Sequence, residues 1–243
     1  MGLEAVFFDL DNTLIDYAGY KLRTATAAAE ELVRRGFPDT VENIVMKIFD
    51  VYDRHGMEYQ KTMYAVIVQY CLKMREAEMF QQAAIIEYNR AKFAGIPPYP
   101  EAHGVLSELR KMRLKLAIVT DGPRNKVFQR LLLARMENSL DLVVTNDDTM
   151  QAKPHRAPFR FALKRLHVKA QNAMMVGDLM GRDMEGAHRL GMLTCHAVYG
   201  DTDRRVNERK GGMVKKELAT SVVPNFRINR LKELPPIVAG LMK

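Results

Sequence analysis

Residues 4–10, EAVFFDL, form a short apolar run rich in valine and phenylalanine, and the run stops at the turn-forming DNT of 11–13. That pattern predicts a buried strand ending at Asp9–Asp11. Four similar runs follow at 115–120 (KLAIVT), 141–145 (DLVVT), 173–177 (AMMVG) and 193–198 (LTCHAV). Helical periodicity separates them. Over 101–113 it places Val105, Leu106, Leu109 and Met112 on one face, and over 124–135 Val127, Phe128, Leu131 and Leu132. Over 156–167 it places Phe159, Ala162, Leu163 and Leu166 together, and 180–190 predicts a fourth helix. Strands alternating with helices predict an α/β, Rossmann-like core, a parallel sheet covered on both sides.

The stretch 17–95 breaks this alternation. It contains no convincing strand, and helical patterns run over 20–35, 41–55, 59–74 and 78–94. Pro38 marks the first gap, Gly95 closes the stretch, and Pro97, Pro98 and Pro100 stiffen the return. The expected organisation is therefore a core of 1–16 plus 96–243 with an inserted α-helical cap over 17–95. A polar stretch at 201–216 is expected to be an exposed loop or a short helix.

Composition narrows the class. The 243 residues are 47% hydrophobic and 27% charged, which excludes a disordered chain, a collagen-like fibre and a coiled-coil rod. Two cysteines, Cys71 and Cys195, are too few for a disulfide framework and predict a reducing compartment. No apolar run approaches the ~20 residues that span a bilayer. The first apolar stretch follows no basic residue and is interrupted by Asp9, Asp11 and Asp16, unlike a secretion signal. The expectation is a cytoplasmic protein with no membrane partner.

In an open parallel sheet, ligands bind beyond the carboxyl ends of the strands. The first strand ends in Asp9-Leu10-Asp11, the second in Thr120-Asp121-Gly122, and the fourth in Gly177-Asp178, with Asp183 five residues further on. Lys153 follows the third strand. Carboxylates converging on one rim repel one another unless a cation neutralises them, and oxygen ligands of this kind suit Mg2+. Lys153, the Thr120 hydroxyl and the backbone N–H groups of Asp121 and Gly122 could hold a phosphate at the start of a helix. One carboxylate could then attack phosphorus and a second, two residues along, could move the proton.

With these residues in hand, the chain resembles the haloacid dehalogenase-like (HAD) hydrolases, subfamily I, and is similar to archaeal phosphatases of that subfamily. The family's four motifs correspond to DLDNT at 9–13, LAIVTDG at 116–122, AKP at 152–154 and GDLMGRD at 177–183. The resemblance implies a Mg2+-dependent phosphatase acting on a small phosphorylated metabolite through an aspartyl-phosphate. It implies Asp9 as nucleophile and metal ligand, and Asp11 as general acid/base and metal ligand through its backbone carbonyl. Thr120 and Lys153 would hold the phosphoryl group, Asp178 would bind the metal directly, and Asp183 would act one shell out. The Asp at position 11 favours phosphoryl transfer over dehalogenation, and the 17–95 insert resembles the helical C1 cap.

Two alternatives share these residues: a phosphomutase that returns the phosphoryl group to a sugar, and a binding protein that kept the fold without turnover. His103, His155, His167, His188 and His196 lack metal-ligand spacing and are expected at surface or helix-cap positions. His55, Glu58 and Tyr59 of the insert are expected either on an ordinary helix face or within reach of a substrate. The net charge is +8, but 17–98 carries 11 basic and 10 acidic residues, so the excess lies in the core. Residues 152–169 alone carry six Lys or Arg and no acid. A basic core is expected to attract phosphorylated anions, and the basic run Arg204–Lys216 is read as a solvated loop rather than a nucleic-acid contact, because no aromatic residue is interleaved with it.

Overall fold

The computed structural model describes residues 2–201 and 220–242 of the chain. Of the polar stretch expected at 201–216, only Asp201 falls among them. Two compact units divide the described residues: one comprises 2–16, 96–201 and 220–242, the other 17–95.

The first unit is built on a six-stranded sheet. Its strands are β1 (Ala5–Phe8), β2 (Lys115–Val119), β3 (Leu142–Val144), β4 (Ala173–Gly177), β5 (Leu193–Ala197) and β6 (Phe226–Ile228). Their order is β3-β2-β1-β4-β5-β6, and every pairing is parallel. The first five correspond to the five apolar runs. The sixth has no counterpart among those runs, because Phe-Arg-Ile is too short and too polar at its centre to stand out as an apolar run.

Parallel strands buried on both faces read as unbroken apolar runs, because alternate side chains enter different cores. Ala5 and Phe7 of β1 join Ala117, Val119, Met175 and Phe159 in one core, while Val6 and Phe8 are equally buried. Each buried valine, phenylalanine or methionine among them contributes about 1.5–3 kcal/mol. Phe8 stands in register with Ile118 on one side and Val176 on the other. The residues that follow these three strands therefore emerge along one sheet edge.

Helices of this unit include α5 (Ala102–Lys111), α6 (Arg124–Leu133), α8 (Arg156–Leu166) and α10 (Leu234–Leu241). Between α6 and α8, the four-residue α7 (Asn146–Thr149) is closed by a capping box of Thr145 and Asp148. The helix expected over 180–190 is a π-helical turn, Met180–Met184, followed by the single turn α9 (Glu185–His188). A π turn widens the backbone locally and often marks a functional site. Here it carries Asp183.

The helical face expected for 124–135 needs correction. Val127 and Leu131 are buried, but Phe128 and Leu132 are exposed, and Arg130 takes the buried position. Leu166 and Met112 are only half-buried on their helices.

The second unit holds α1 (Tyr17–Arg34), α2 (Val41–His55), α3 (Thr62–Ile67) and α4 (Met74–Phe93) around its own core. Ala25, Ala28 and Ala29 of α1 are fully buried, which lets helices approach closely, and α1 packs against α4. Thr40 caps α2 by accepting from the Asn43 N–H at 3.2 Å. The helix expected over 59–74 is shorter, because Cys71 adopts a left-handed backbone with φ 51° and the chain restarts as α4 at Met74. Expected starts at 20 and 78 move to Tyr17 and Met74.

The chain leaves and re-enters the first unit through a short ladder. The Asp16 N–H donates to the Pro97 carbonyl at 3.1 Å and the Tyr99 N–H to the Leu14 carbonyl at 2.9 Å. Ile15 and Pro98 face each other in an antiparallel bridge.

Candidate active site

β1, β2 and β4 lie side by side, so their C-terminal ends meet. The Asp9 N–H still donates into the sheet, to the Val176 carbonyl at 2.9 Å, which fixes the first carboxylate at the edge of β4. Beyond it the chain turns tightly: the Leu14 N–H returns to the Leu10 carbonyl at 3.0 Å, with Asn12 at φ 58°. Asn tolerates that left-handed conformation better than most residues.

Asp9, Asp178 and Asp183 each offer a carboxylate oxygen within 4.8 Å of the others. All three are buried, with Asp183 fully so. Lys153 enters the same space. Its Nζ donates to Asp9 Oδ1 at 2.5 Å and to the Val119 carbonyl at 3.0 Å, and it lies 2.7 Å from Asp183 Oδ1. Burial, and then the neighbouring Asp183 and Asp121 charges, push the Asp9 carboxyl up to about 6 against the pull of the Lys153 ammonium. Burial also raises Asp183. For Lys153, burial works against the charge, but the carboxylates of Asp183, Asp9 and Asp121 outweigh it and hold the ammonium above its ordinary range.

Three buried carboxylates against one ammonium leave excess negative charge in a low-dielectric setting. Hard oxygen donors gathered this closely match the preference of Mg2+ for carboxylates and water. The donor set therefore fits the metal: Asp9 and Asp178 would hold it, with Asp183, whose oxygens already meet the Leu179 N–H and Lys153, one shell out.

The remaining residues singled out in the sequence lie at the same sheet edge. Thr120 is buried at the end of β2, and the Gly122 N–H turns back onto its Oγ1 at 3.3 Å. The side chain of Asp121 is a brace: Oδ1 accepts the Lys153 backbone N–H at 2.8 Å, and Oδ2 accepts from Arg182 Nη1 at 3.0 Å. It thereby ties the second, third and fourth motifs together. Asp11 Oδ2 accepts from Arg130 Nη1 at 2.6 Å.

Arg130, Arg182 and His196 were not singled out as site residues. His196 corrects the expectation of a surface or capping role. It is buried on β5, with Nε2 3.0 Å from the Asp178 carbonyl, and so supports the loop that carries a metal-site carboxylate. His155 does cap α8, with Nδ1 accepting the Ala157 N–H at 3.1 Å. In the second unit, His55 stacks on Tyr59 with ring centroids 4.5 Å apart, and Glu58 accepts from the Tyr17 hydroxyl at 2.7 Å.

Residues 6–197 match the family described as haloacid dehalogenase-like hydrolase. The chain is 29% identical over 245 residues to a glyceraldehyde 3-phosphate phosphatase of Methanocaldococcus jannaschii, covering 99% of each chain. It is 30% identical over 198 residues to a glyceraldehyde 3-phosphate phosphatase of Pyrococcus abyssi, covering 82% of each. Among solved structures, a HAD phosphatase from Thermococcus onnurineus superposes with a TM-score of 0.63 at 21% identity, covering 99% of this chain and 100% of that one. A 2-haloacid dehalogenase from Pseudomonas syringae gives a TM-score of 0.64 at 22% identity, with 98% and 99% covered. At such identities these two structures speak for the fold alone.

Proposed function

The chain belongs to the haloacid dehalogenase-like hydrolases, and on that premise we propose that Asp9, Asp11, Thr120 and Lys153 carry a phosphate-monoester hydrolysis at the shared end of β1, β2 and β4. One observation carries the reading: a buried lysine, Lys153, is set among the buried carboxylates Asp9 and Asp183, with Asp178 beside them. Such a cluster is costly to fold and has its use when a metal and an anionic phosphoryl group complete it.

The protein is a Mg2+-dependent phosphatase acting on a small phosphorylated metabolite. Bound Mg2+ supplies positive charge that neutralises the carboxylates and the phosphoryl oxygens. The Asp9 carboxylate attacks phosphorus. Its oxygen–phosphorus bond forms as the ester bond breaks, and Asp11 gives a proton to the departing oxygen. Water then attacks the phosphorus, Asp11 takes the water's proton, and Asp9 leaves free phosphate. Lys153 holds Asp9 in line and offsets charge on the phosphoryl group. Thr120 Oγ1 and the N–H groups at Asp121 and Gly122, at the start of α6, donate to the remaining oxygens.

The archaeal relatives support a three-carbon aldehyde phosphate, glyceraldehyde 3-phosphate, as the first substrate to try. A cytoplasmic location is consistent with the unpaired Cys71 and Cys195, and among the described residues no helix is long and apolar enough to cross a membrane. A panel of phosphate esters assayed for released phosphate, with Mg2+ or with EDTA, tests the reading. Phosphate release that stops in EDTA is expected. Isomerised sugar phosphate without free phosphate would instead indicate a mutase, and no reaction on any ester would sink the phosphatase reading.

A further inference from the structure

Arg130 is a buried charge beside the candidate site that the reaction above leaves without a task. It lies on α6, a helix whose apolar Phe128 and Leu132 face solvent while Arg130 is only 5% exposed. A helix that turns two large hydrophobic residues outward to bury an arginine is organised around that arginine. Its Nη1 donates to Asp11 Oδ2 at 2.6 Å. It also runs close under the turn after β2: a β-carbon on Gly122 would lie 3.3 Å from Nη1, and 3.7 Å from Thr120 Oγ1. A cation from the helix after the second motif thus reaches a carboxylate of the first motif, passing beside the phosphate-binding turn.

A buried ion pair is a poor source of stability, since desolvation offsets most of the attraction. What a guanidinium supplies is direction. Its rigid plane aims the Nη1 donor at Asp11 Oδ2 more strictly than a freely rotating ammonium would. Asp11 sits on a tight turn, and its side chain has to present one oxygen to the leaving group and then to water.

We propose that Arg130 is a positioning residue for the reaction: it holds the Asp11 carboxylate in the orientation from which Asp11 exchanges a proton with the leaving-group oxygen. The assignment rests on Asp11 serving as the acid/base. It differs from a structural role in one measurable respect. An alkyl ester needs its leaving oxygen protonated, whereas p-nitrophenolate leaves without help, so misplacing Asp11 penalises the first far more than the second.

The experiment compares kcat/KM for glycerol 3-phosphate and p-nitrophenyl phosphate, with excess Mg2+, in the wild type, Arg130→Gln and Arg130→Lys. Arg130→Gln is expected to lose about 10- to 100-fold on the alkyl ester, part of what a general acid contributes, and less than about 3-fold on the aryl ester. In Arg130→Lys, which keeps the charge without the rigid plane, the ratio of the two rates is expected to fall between those of the wild type and Arg130→Gln. In an Asp11→Asn background, Arg130→Gln should cost nothing further. Equal changes on the two esters, including no change, overturn the assignment, as does a full additional loss in the Asp11→Asn background. If Arg130→Gln does not fold, Arg130→Lys and its ester ratio decide alone. If the wild type is inert on glycerol 3-phosphate, the alkyl ester that the panel identifies takes its place, and only inactivity across the whole panel overturns the phosphatase reading and this assignment with it.

Discussion

Gly177 and Asp183 share one volume: a β-carbon on Gly177 would stand 2.3 Å from Asp183 Oδ2 and 2.7 Å from Asp183 Cβ. Asp183 cannot yield, because it is fully buried, its Oδ2 accepts the Leu179 N–H at 3.1 Å, and Lys153 holds its other oxygen. Glycine at the end of β4 is therefore what lets the π turn fold its carboxylate back over the strand. Gly177→Ala is expected to displace Asp183 and weaken Mg2+ binding by about 10- to 100-fold, the cost of disturbing a metal site's supporting contacts. Isothermal titration of the variant with Mg2+ checks this; unchanged affinity would contradict it.

Lys153 is the only cation that the described structure places against both Asp9 and Asp183. Lys153→Met leaves two buried carboxylates without it, and breaking a buried pair in this way costs about 3–5 kcal/mol. Added Mg2+ can replace part of the missing charge. The melting temperature of the variant is therefore expected to rise more on Mg2+ addition than that of the wild type. Equal shifts in paired thermal melts would argue against this charge balance.

Asp9 has a pH signature of its own. Its carboxyl stands at about 6, above the ordinary 3.8, because burial and the neighbouring carboxylates disfavour the charge. The folded protein thus holds this proton more tightly than the unfolded chain. Its contribution to stability is fully present below about pH 4 and is lost as the pH rises through about 6. In EDTA at pH 7.5, Asp9→Asn is expected to melt no lower than the wild type while its phosphatase turnover falls by at least about a thousandfold, as losing a nucleophile demands. A variant that keeps its turnover in excess Mg2+ would remove Asp9 from the mechanism.

The opposite sign holds at Asp39 in the helical unit. Lys47 and the Tyr70 hydroxyl both donate to its Oδ2, and these hydrogen bonds hold its carboxyl well below the usual carboxylate range. Its stabilisation is present above about pH 4 and is lost as the pH falls toward the lowered folded value. Asp39→Asn is expected to cost about 1 kcal/mol at pH 7, the upper end for a partly exposed pair. It should also flatten the loss of stability between about pH 4 and 2. Denaturant melts across that range provide the check, and parallel acid limbs in the two proteins would refute it.

How far the sequence is legible depends on the range of the interactions involved. β1, β2 and β4 are readable because burial on both faces leaves a continuous apolar run, and the acidic residues that end β1 and β4 are the polar groups placed at that boundary. β6 escapes because Arg227 is exposed at the middle of a three-residue edge strand. Arg130 escapes for a different reason. Its periodicity assigns Phe128 and Leu132 to the buried face, and only a carboxylate 119 residues away, Asp11, makes the arginine the buried residue instead. His196 and Arg182 are similarly defined by partners brought close by the fold, Asp178 and Asp121. Local pattern reports which backbone each residue favours, and it carries no record of a pairing closed only when distant strands come together.

The ladder of Leu14–Asp16 with Pro97–Tyr99 has a consequence for the ancestry of such chains. Both ends of the insert are fastened by hydrogen bonds that belong entirely to the sheet-bearing unit. Closing a loop between fixed ends costs only about 0.6 kcal/mol more for each doubling of its length. The junction is thus a socket indifferent to what is plugged into it. Long, short or unrelated segments can be exchanged there while the carboxylate edge stays intact, and a chain with a brief glycine–serine bridge in place of 17–95 is expected to melt cooperatively and to be raised in Tm by Mg2+. Selectivity can then diversify by transplantation, with the chemistry inherited unchanged.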